Sequence, residues 1–564
     1  MRVFPEINNG GNKNKNDVAI ALAINLCING GTTIFCGKKQ TADKILERVL
    51  DIETRGYDIS NIKKNTDNRE IEKISHLIEK HFGTDNVYYL AAQKGAFAHH
   101  GGIPMGLRSS IEYAMQKGAI QFLACTSTLA QGVNLPIRYL IIPTVYQSKE
   151  RIKVRDFQNL IGRAGRAGIY TEGSIILSET HVYSMRKDFF RQWKWLNYKE
   201  LLNCNQAEAC TSELLAWLRV DDEMEEYLDT IIDIFEKHYV SGDFVKEVNN
   251  YLSDLIEAKE ETYNKAKFIV TQMVNNIEAI ESFLLFYLIE DTYDDSKDTI
   301  HDIIRETLAY YLATDDERKR LLHLVDLIGS FIVKTVATPD KRNRYSKSLL
   351  GVRKEIEIEQ WIEEHIFDIA CCENEEELLK VLFPLLITSD YPLIHVCNKP
   401  DELVNVGVKW ILGENYVDIL QYAIENNIRI LQRHRYSLIS LKQVIDLCDN
   451  YFGYNCTLMM AAIIENVNYH LDDTDLNSNL KLLSKRMRYG LKNQCSITLY
   501  EMGFNDRIIA KNLAEIIEKE YGAGSRKEII RLIKRTVDIQ YDILSYLSEY
   551  PSYFEEKAIK LIFG

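Results

Sequence analysis

Short apolar runs alternate with longer amphipathic stretches over the first third of the chain. The short runs are typical of buried strands, and the stretches between them repeat apolar residues at helical spacing. The predicted strands are 32–36, 95–98, 120–125, 138–142 and 173–177. The predicted helices are 17–29, 40–50, 67–82, 105–116 and 154–163. This alternation predicts an α/β domain with a parallel sheet, whose ligands are expected beyond the carboxyl ends of the strands, near Gly37 and Thr126.

From about residue 184 the apolar spacing becomes helical. Segments such as YLDTIIDIFEKHY and LLHLVDLIGSFIV place apolar residues three and four apart, and only nine prolines occur in the whole chain, which suits long helices. We therefore expect a mostly α-helical region after the α/β domain. The predicted organisation is a flexible lead at 1–16, an α/β domain at 17–183, and helical domains at 184–350 and 351–564.

The charge of the chain is divided unevenly between these parts. The net charge is −14, which by itself argues against a nucleic-acid partner. However, residues 1–183 carry 23 Lys and Arg against 17 Asp and Glu, a net charge of +6, whereas the remainder carries 45 against 65, a net charge of −20. A basic first domain favours contact with phosphates. The alternative is that the acidic helical region is ordinary and the division is incidental.

Cysteine usage and hydropathy bear on the compartment. The eleven cysteines are scattered without a CxxC pair, and their odd number excludes a complete set of internal disulfides. A reduced, cytoplasmic setting is the expectation. The N-terminal residues contain no apolar signal-peptide core, and no apolar run reaches the roughly 18 residues of a membrane span. We therefore expect no membrane association.

The segment QNLIGRAGRAG at 158–168 is the strongest chemical signal. It presents Arg163 and Arg166 three residues apart, with glycines at 162, 165 and 168. Glycine allows the backbone to approach a ligand closely, and the planar guanidinium group matches phosphate oxygens two at a time. Two arginines on such a turn are suited to a transferring phosphoryl group.

Three segments together resemble a known family. The segment at 158–168 resembles motif VI of superfamily 2 helicases, residues 126–136 are similar to motif V, and AFAHHGGIPMGLRSSIE at 96–112 is similar to motif IVa. The sequences of these motifs, including Gln158 at the first position of motif VI, resemble those of one branch of the family. That branch contains the exosome-associated RNA helicases and the archaeal repair helicases. The resemblance covers about residues 17–180, and the motifs stand in the family's order and spacing.

This resemblance implies a second RecA-like domain and a set of site residues. Arg163 and Arg166 correspond to the catalytic arginine fingers. Three further residues correspond to ATP-binding positions: Gln158, Gly132 and Asn134. The implied contacts to single-stranded DNA or RNA come from Gly37, His100, Gly101, Arg108, Thr126, Ser127 and Thr128. The resemblance also suggests a winged helix and a helical bundle after this domain, although no pattern here identifies a winged helix.

Several of these residues have a plainer interpretation. Gln158 would also fit as an ordinary helix-surface residue, and the hydroxyl groups at 126–128 would fit a helix N-cap. Arg108 lies four residues before Glu112 on a predicted helix, so the two side chains could pair with each other. We predict no metal at His99 and His100, because no third ligand follows at a suitable spacing.

The first half of a helicase motor is missing from the sequence. A phosphate-binding loop requires Gly-x-x-x-x-Gly-Lys-Ser/Thr. The nearest segment, from Gly31 to Lys38, has one residue too many between its glycines and no hydroxyl after the lysine, and no DExH or DExD sequence occurs. ATP and Mg²⁺ would therefore be bound mainly by a first RecA-like domain, supplied by a longer chain or by another polypeptide.

The sequence thus predicts the C-terminal part of an ATP-dependent nucleic-acid helicase or translocase that is inactive as this chain alone. Two alternatives remain open: a non-catalytic nucleic-acid-binding module derived from a helicase, and a mainly structural protein whose acidic helices recruit a partner such as a nuclease.

Overall fold

The computed structural model describes most of the chain. The described residues are 4–7, 12–126, 135–147, 150–165, 172–216, 218–219, 224–258, 260–288, 293–432, 434–521 and 524–564. They fold into two compact units. The first unit comprises residues 1–208, 395–450 and 485–564, and the second comprises residues 209–394 and 451–484.

A five-stranded parallel sheet forms the centre of the first unit. Its strands stand in the order β2-β3-β1-β4-β7. They are β1 (Thr32–Phe35), β2 (Ala96–His99), β3 (Phe122–Cys125), β4 (Tyr139–Ile142) and β7 (Ser174–Leu177). Between β4 and β7 lies a small antiparallel hairpin of β5 (Tyr146–Gln147) and β6 (Glu150–Arg151). The predicted parallel α/β domain is confirmed.

Helices follow the strands as the pattern predicts, and they begin at recognisable caps. Asn14 and Asp67 accept hydrogen bonds from backbone N–H groups at the starts of the first and third helices. The sequence pattern missed the two short helices at 87–93 and 181–184, because seven and four residues are too few for a periodic signal. The helices of this region are α1 (Lys15–Leu26), α2 (Lys39–Thr54), α3 (Asn68–Phe82), α4 (Val87–Gln93), α5 (Met105–Gln116), α6 (Val154–Ile161), α7 (His181–Ser184) and α8 (Trp193–Leu201).

The burial of the strand residues explains why each strand is a short apolar run in the sequence. Every residue of β1, β2 and β3 is buried, whereas Ser174 and Ile175 on the edge strand β7 are exposed. A parallel sheet is covered by helices on both faces, so its central strands lack the alternating polar positions of a half-exposed strand.

The rest of the chain is mostly helical, as predicted. Its helices are α9 (Glu213–Ala216), α10 (Glu225–His238), α11 (Phe244–Ala258), α12 (Glu260–Tyr287), α13 (Tyr293–Arg305), α14 (Leu308–Leu312), α15 (Asp315–Thr335), α16 (Pro339–Tyr345), α17 (Val352–Ala370), α18 (Glu375–Leu386), α19 (Pro392–His395), α20 (Leu403–Ile411), α21 (Tyr416–Glu425), α22 (Leu441–Asp446), α23 (Thr457–His470), α24 (Thr474–Tyr489), α25 (Gln494–Glu501), α26 (Arg507–Tyr521), α27 (Arg526–Arg535), α28 (Val537–Leu547) and α29 (Ser552–Phe563).

Two features of this region were not anticipated. One is an antiparallel hairpin of β8 (Arg429–Gln432) and β9 (Arg435–Leu438), whose mostly exposed side chains give no apolar strand signal. The other is that residues 395–450 and 485–564 belong to the same compact unit as the sheet. The boundaries at 183 and 350 remain sequence-based predictions, and the compact units divide the chain elsewhere.

The C-terminal helices pack directly against the sheet domain within the first unit. Lys73 on α3 forms an ion pair of 3.0 Å with Glu555 on α29, and the Ser552 hydroxyl donates a hydrogen bond to Glu70. The buried His81 lies 2.8 Å from an Asp506 carboxylate oxygen, with both side chains at most 1% exposed. These contacts join residues more than 400 positions apart, and they bring the C-terminal helices to α3 and α5.

Among the residues described, no single helix is long and apolar enough to cross a membrane. One bent helix pair, Asp315–Thr335 with Pro339–Tyr345, meets the length and composition requirements only when its two members are taken together.

The sheet register provides a matched test of the core. Leu140 on β4 is fully buried and pairs with Ile175 on β7, which is 40% exposed. We expect Leu140→Ala to lower the free energy of unfolding by about 2–5 kcal/mol, because it leaves a cavity in the core. The control Ile175→Ala should lower it by only about 1 kcal/mol. Urea unfolding followed by circular dichroism measures both, and equal losses would contradict this account of the sheet.

Candidate nucleotide and nucleic-acid sites

The carboxyl edge of the sheet gathers most of the predicted nucleic-acid residues. The Cys36 N–H donates to the Cys125 carbonyl at 2.6 Å, and the Thr126 N–H donates to the His99 carbonyl at 3.2 Å. These bonds continue the strand pairing just beyond β1, β2 and β3. Gly37, His100 and Thr126 therefore lie at neighbouring strand ends, as the sequence predicts for a parallel sheet.

His100 is held in one orientation by its neighbours. The Gly102 N–H donates to Nδ1 of His100 at 3.1 Å, so Nε2 carries the proton of the neutral ring. Nε2 then donates to Oδ1 of Asp43 at 3.0 Å, and the Tyr88 hydroxyl donates to the same oxygen at 2.6 Å. The loop after β2 is thereby fixed from α2 and α4.

The electrostatics of this cluster favour a charged Asp43. Burial of Asp43 opposes ionisation, but the hydrogen bonds from His100 and Tyr88 outweigh it and hold the pKa of the carboxyl below its ordinary value. Burial and the nearby Asp43 charge raise the pKa of Tyr88, which keeps its hydroxyl protonated as a donor. Lys442 on α22 approaches the other Asp43 oxygen at 3.4 Å.

The suggested pairing of Arg108 with Glu112 does not form. Glu112 lies instead 2.6 Å from Nε2 of the buried His99. Nε of Arg108 is buried and has no hydrogen-bond partner among the described residues. The spacing of four residues permits contact on a helix, but the histidine at the end of β2 competes successfully for the carboxylate.

Two glycines at this edge differ in how much space surrounds the position that a side chain would occupy. A Cβ at Gly37 would lie 2.7 Å from the Tyr146 carbonyl oxygen, so this position is closed by the backbone of the β5–β6 hairpin. At Gly101 the nearest atoms would belong to the flexible end of Lys39 at 3.7 Å, so this position is open. Of the two, Gly101 leaves room for the close approach of a ligand.

The arginine-bearing turn lies at the opposite end of the sheet. The Gly165 N–H donates to the Ile137 carbonyl at 2.8 Å, and Ile137 precedes β4. Gly165 has a φ of +72°, and a Cβ there would lie 2.5 Å from the Gly173 nitrogen. Arg163 therefore stands at the amino side of β4, and the carboxyl-edge rule does not describe its position. Arg163 is thus separated from Gly37, His100 and Thr126, which lie at the carboxyl edge.

Comparison with known proteins shows which family this domain is similar to. The model of the family "Helicase conserved C-terminal domain" matches residues 84–168, which contain the edge residues from His99 to Thr126 and the arginine turn. The protein named Helicase POLQ-like from Homo sapiens is 33% identical over 164 residues, 28% of this chain and 14% of that protein. The N-terminal third is a superfamily 2 helicase C-terminal domain.

Two further relatives extend the comparison. ATP-dependent DNA helicase Hel308 from Aeropyrum pernix is 39% identical over 87 residues, 15% of this chain and 12% of that helicase. Hachiman protein HamB from Bacillus cereus is 24% identical over 448 residues, 77% of this chain. The similarity to HamB thus reaches beyond the helicase domain into the helical region. The chain spans only 37% of the length of HamB and less of the other two relatives.

The remaining predicted residues of the helicase domain have different outcomes. Nε2 of Gln158 donates to the Leu201 carbonyl at 2.7 Å, so this side chain connects α6 with α8. Thr126 is buried, with 7% of its surface exposed. Five predicted site residues lie outside the described residues, and their roles stay predictions: Ser127, Thr128, Gly132, Asn134 and Arg166.

Sequence reasoning missed the partners that position these residues. None of these partners belongs to a motif. Asp43 and Tyr88 contact His100 from α2 and α4, and Lys442 on α22 contacts Asp43. No sequence signal pointed to these partners, because each of the three lies outside the motifs that the sequence analysis singled out.

Asp43→Asn tests the cluster around His100. The neutral amide accepts hydrogen bonds more weakly than the carboxylate, and if its NH₂ group faces His100 two donors oppose each other. We therefore expect the free energy of unfolding at neutral pH to fall by about 1–3 kcal/mol. Because the folded-state pKa of Asp43 is lowered, the loss should be complete above the ordinary Asp value of about 4 and should shrink as the pH falls through the folded-state value.

Urea unfolding across the pH range measures this difference. Asp58→Asn is the control, since Asp58 is fully exposed and bonds only the neighbouring Ser60. A loss for Asp43→Asn that is no greater than that of the control would refute the proposed constraint on His100.

Proposed function

We propose that this chain is the C-terminal part of an ATP-dependent DNA helicase or translocase. It would supply arginine fingers and strand-binding residues to a first RecA-like domain that lies elsewhere. The observation that carries the proposal is the separation of two groups of motif residues on one helicase sheet. Gly101, Arg108 and Thr126 belong to the carboxyl-edge group, and Arg163 stands at the amino side of β4.

The fixed position of the arginine turn supports a role in phosphate chemistry. The hydrogen bond from Gly165 to Ile137 and the close approach of Gly173 hold the backbone after Arg163 against the sheet. A guanidinium on a rigid support acts on a developing phosphoryl charge without a large loss of conformational freedom. We assign Arg163 and Arg166 to this role, and Gln158, Gly132 and Asn134 to the surroundings of the nucleotide.

The described residues do not by themselves fit magnesium and the ATP phosphates. The segment that follows Gly31 is the fully buried strand β1, and a Cβ at Gly31 would lie 2.4 Å from the Pro136 carbonyl, so no phosphate cradle exists there. Within the described ranges, no group of three or more His, Cys, Asp or Glu side chains could hold a metal ion. We therefore assign both tasks to the first RecA-like domain.

The strand itself would contact the carboxyl edge. Backbone N–H groups, hydroxyl groups and arginines bind phosphates without reading sequence, and Thr126, Gly101 and Arg108 provide these groups. We favour DNA over RNA because relatives carry the names DNA helicase Hel308 and DNA polymerase theta.

Two further assignments extend the proposal. We propose that the acidic helical region recruits another protein, such as a nuclease, because its net charge of −20 would favour a basic surface. We also propose a cytoplasmic location, because all eleven cysteines are free thiols.

ATP hydrolysis provides the decisive experiment. The purified chain should not hydrolyse ATP with or without single-stranded DNA, because it lacks a phosphate loop. Adding a first RecA-like domain with a phosphate loop and a DExH sequence, encoded nearby in the same genome, should produce DNA-stimulated turnover. Arg163→Ala and Arg166→Ala should each lower that kcat by about a hundredfold or more.

Arg155→Ala is the matched control, because Arg155 lies on α6 with 45% of its side chain exposed. It should leave turnover unchanged. Hydrolysis by the chain alone that disappears in Arg166→Ala would overturn the claim of a missing half. A mixture that binds DNA but never hydrolyses ATP would favour a non-catalytic nucleic-acid-binding module.

A further inference from the structure

A polar cavity of about 240 Å³ lies in the first unit, beside the start of α5. One wall comes from the helicase domain, including Gly101 and Arg108, and the other comes from the C-terminal helices, including Arg488 and Asn505. We call it the arginine cavity. Trp410 and Tyr416, each only 1% exposed, are among the buried residues that line it.

The charge of Asp449, in the same cavity, acts on Arg108, but the two side chains do not form an ion pair. The half-buried guanidinium of Arg108 forms no ion pair with a described residue, and its Nε is buried without an acceptor. Two carboxylates also line the cavity, but both are engaged. Asp449 accepts a hydrogen bond from Tyr416 at 2.8 Å, and Asp506 contacts His81 and caps the Ile508 N–H. A buried donor without an acceptor is unfavourable, so an acceptor beside Nε, such as a phosphate oxygen, would be stabilising.

Arg488 adds a second cationic group without an acidic partner. It is exposed in the last turn of α24, and its guanidinium carbon lies 5.3 Å from the Tyr489 ring centroid. Within the described part of the chain, no carboxylate lies within 4.0 Å of it. Two guanidiniums in one cavity repel each other, and an anion between them would offset that repulsion.

The third arginine of the cavity has a structural role. Arg507 stacks on Trp410 at 3.7 Å and donates to the carbonyls of Gly490 and Glu414. It therefore holds Trp410 in place. Arg108 and Arg488 remain as the groups available to a ligand.

Polar and aromatic groups beside the arginines indicate what the anion carries. Oδ1 of Asn505 is buried without a hydrogen-bond partner among the described residues, while its Nδ2 donates to Ser109 at 3.1 Å. The rings of Tyr489 and Tyr500 line the same cavity and lie 5.0 Å apart. Arginines bind phosphate oxygens, an amide pairs with the edge of a base, and aromatic rings stack on bases.

We propose that the arginine cavity binds one nucleotide unit, with its phosphate between Arg108 and Arg488 and its ring toward Asn505 and the tyrosines. The inference rests on the proposed function only for the source of that unit. The nucleotide belongs either to the bound DNA strand, as a terminal or turned-out residue, or to a free nucleotide.

Binding measurements on the full chain test this proposal. One probe is a short fluorescein-labelled oligothymidine, followed by anisotropy. The other is thymidine 5′-monophosphate, followed by calorimetry, with thymidine as the ligand that lacks phosphate. We expect Arg488→Gln to weaken binding of the strand or of the monophosphate by about tenfold, because one charged hydrogen-bonding group is lost.

Lys492→Gln is the matched control, since it removes one positive charge from an exposed side chain of the first unit that does not line the cavity. It should change either affinity by less than about twofold. Arg488 is exposed and has no ion-pair partner, so its replacement should leave thermal stability unchanged. An oligonucleotide that carries 5-iodouracil should crosslink to peptides that contain Tyr489 or Tyr500.

The outcomes separate this inference from the proposed function. If the strand binds Arg488→Gln as tightly as the wild type and the crosslinks map elsewhere, the cavity proposal is wrong and the proposed function stands. If only the monophosphate binds, and does so through Arg488, the cavity takes a free nucleotide and the strand-binding part of the proposed function is wrong. If neither probe binds the wild type, both proposals fail.

Discussion

The parallel pairing of five short strands is the constraint on which the rest of the helicase domain depends. Each central strand has only four residues, and its backbone is satisfied by neighbours on both sides. Parallel strands end at the same edge of the sheet. The direction of the strands is therefore enough to bring the residues that follow β1, β2 and β3 close together. The turn after α6 must then return to the amino side of β4, because the next strand, β7, is also parallel. This geometry separates the two groups of motif residues.

The C-terminal helices complete the helicase domain. Asp506 contacts His81 on α3, and its Cβ lies 2.3 Å from where a Cβ on Gly106 would stand, so glycine allows the two segments to meet. Lys442 reaches Asp43 beside His100. The loop similar to motif IVa therefore lies between its own domain and helices that come more than 300 residues later. The position of this loop and the packing of the C-terminal helices are therefore physically linked.

Local pattern was sufficient for the first third of the fold. Buried strands such as β3 and flanking helices such as α5 were predicted within a few residues, because burial on both faces makes the sequence apolar throughout a strand. The β8–β9 hairpin was missed because its side chains are largely exposed. The pairing of Arg108 with Glu112 was wrong because His99, which is adjacent only in the folded sheet, binds the carboxylate.

The sequence by itself determined the helicase family, the alternation of strands and helices, and the candidate residues for phosphate chemistry. These properties depend on residue type and on spacing over a few positions. Only the tertiary structure decided that Arg163 stands at the opposite end of the sheet from Thr126, that Asp43 orients His100, and that Arg108 and Arg488 line one cavity. The physical reason is that each of these relations joins elements distant in the chain, and their distances are set by packing rather than by local backbone preference.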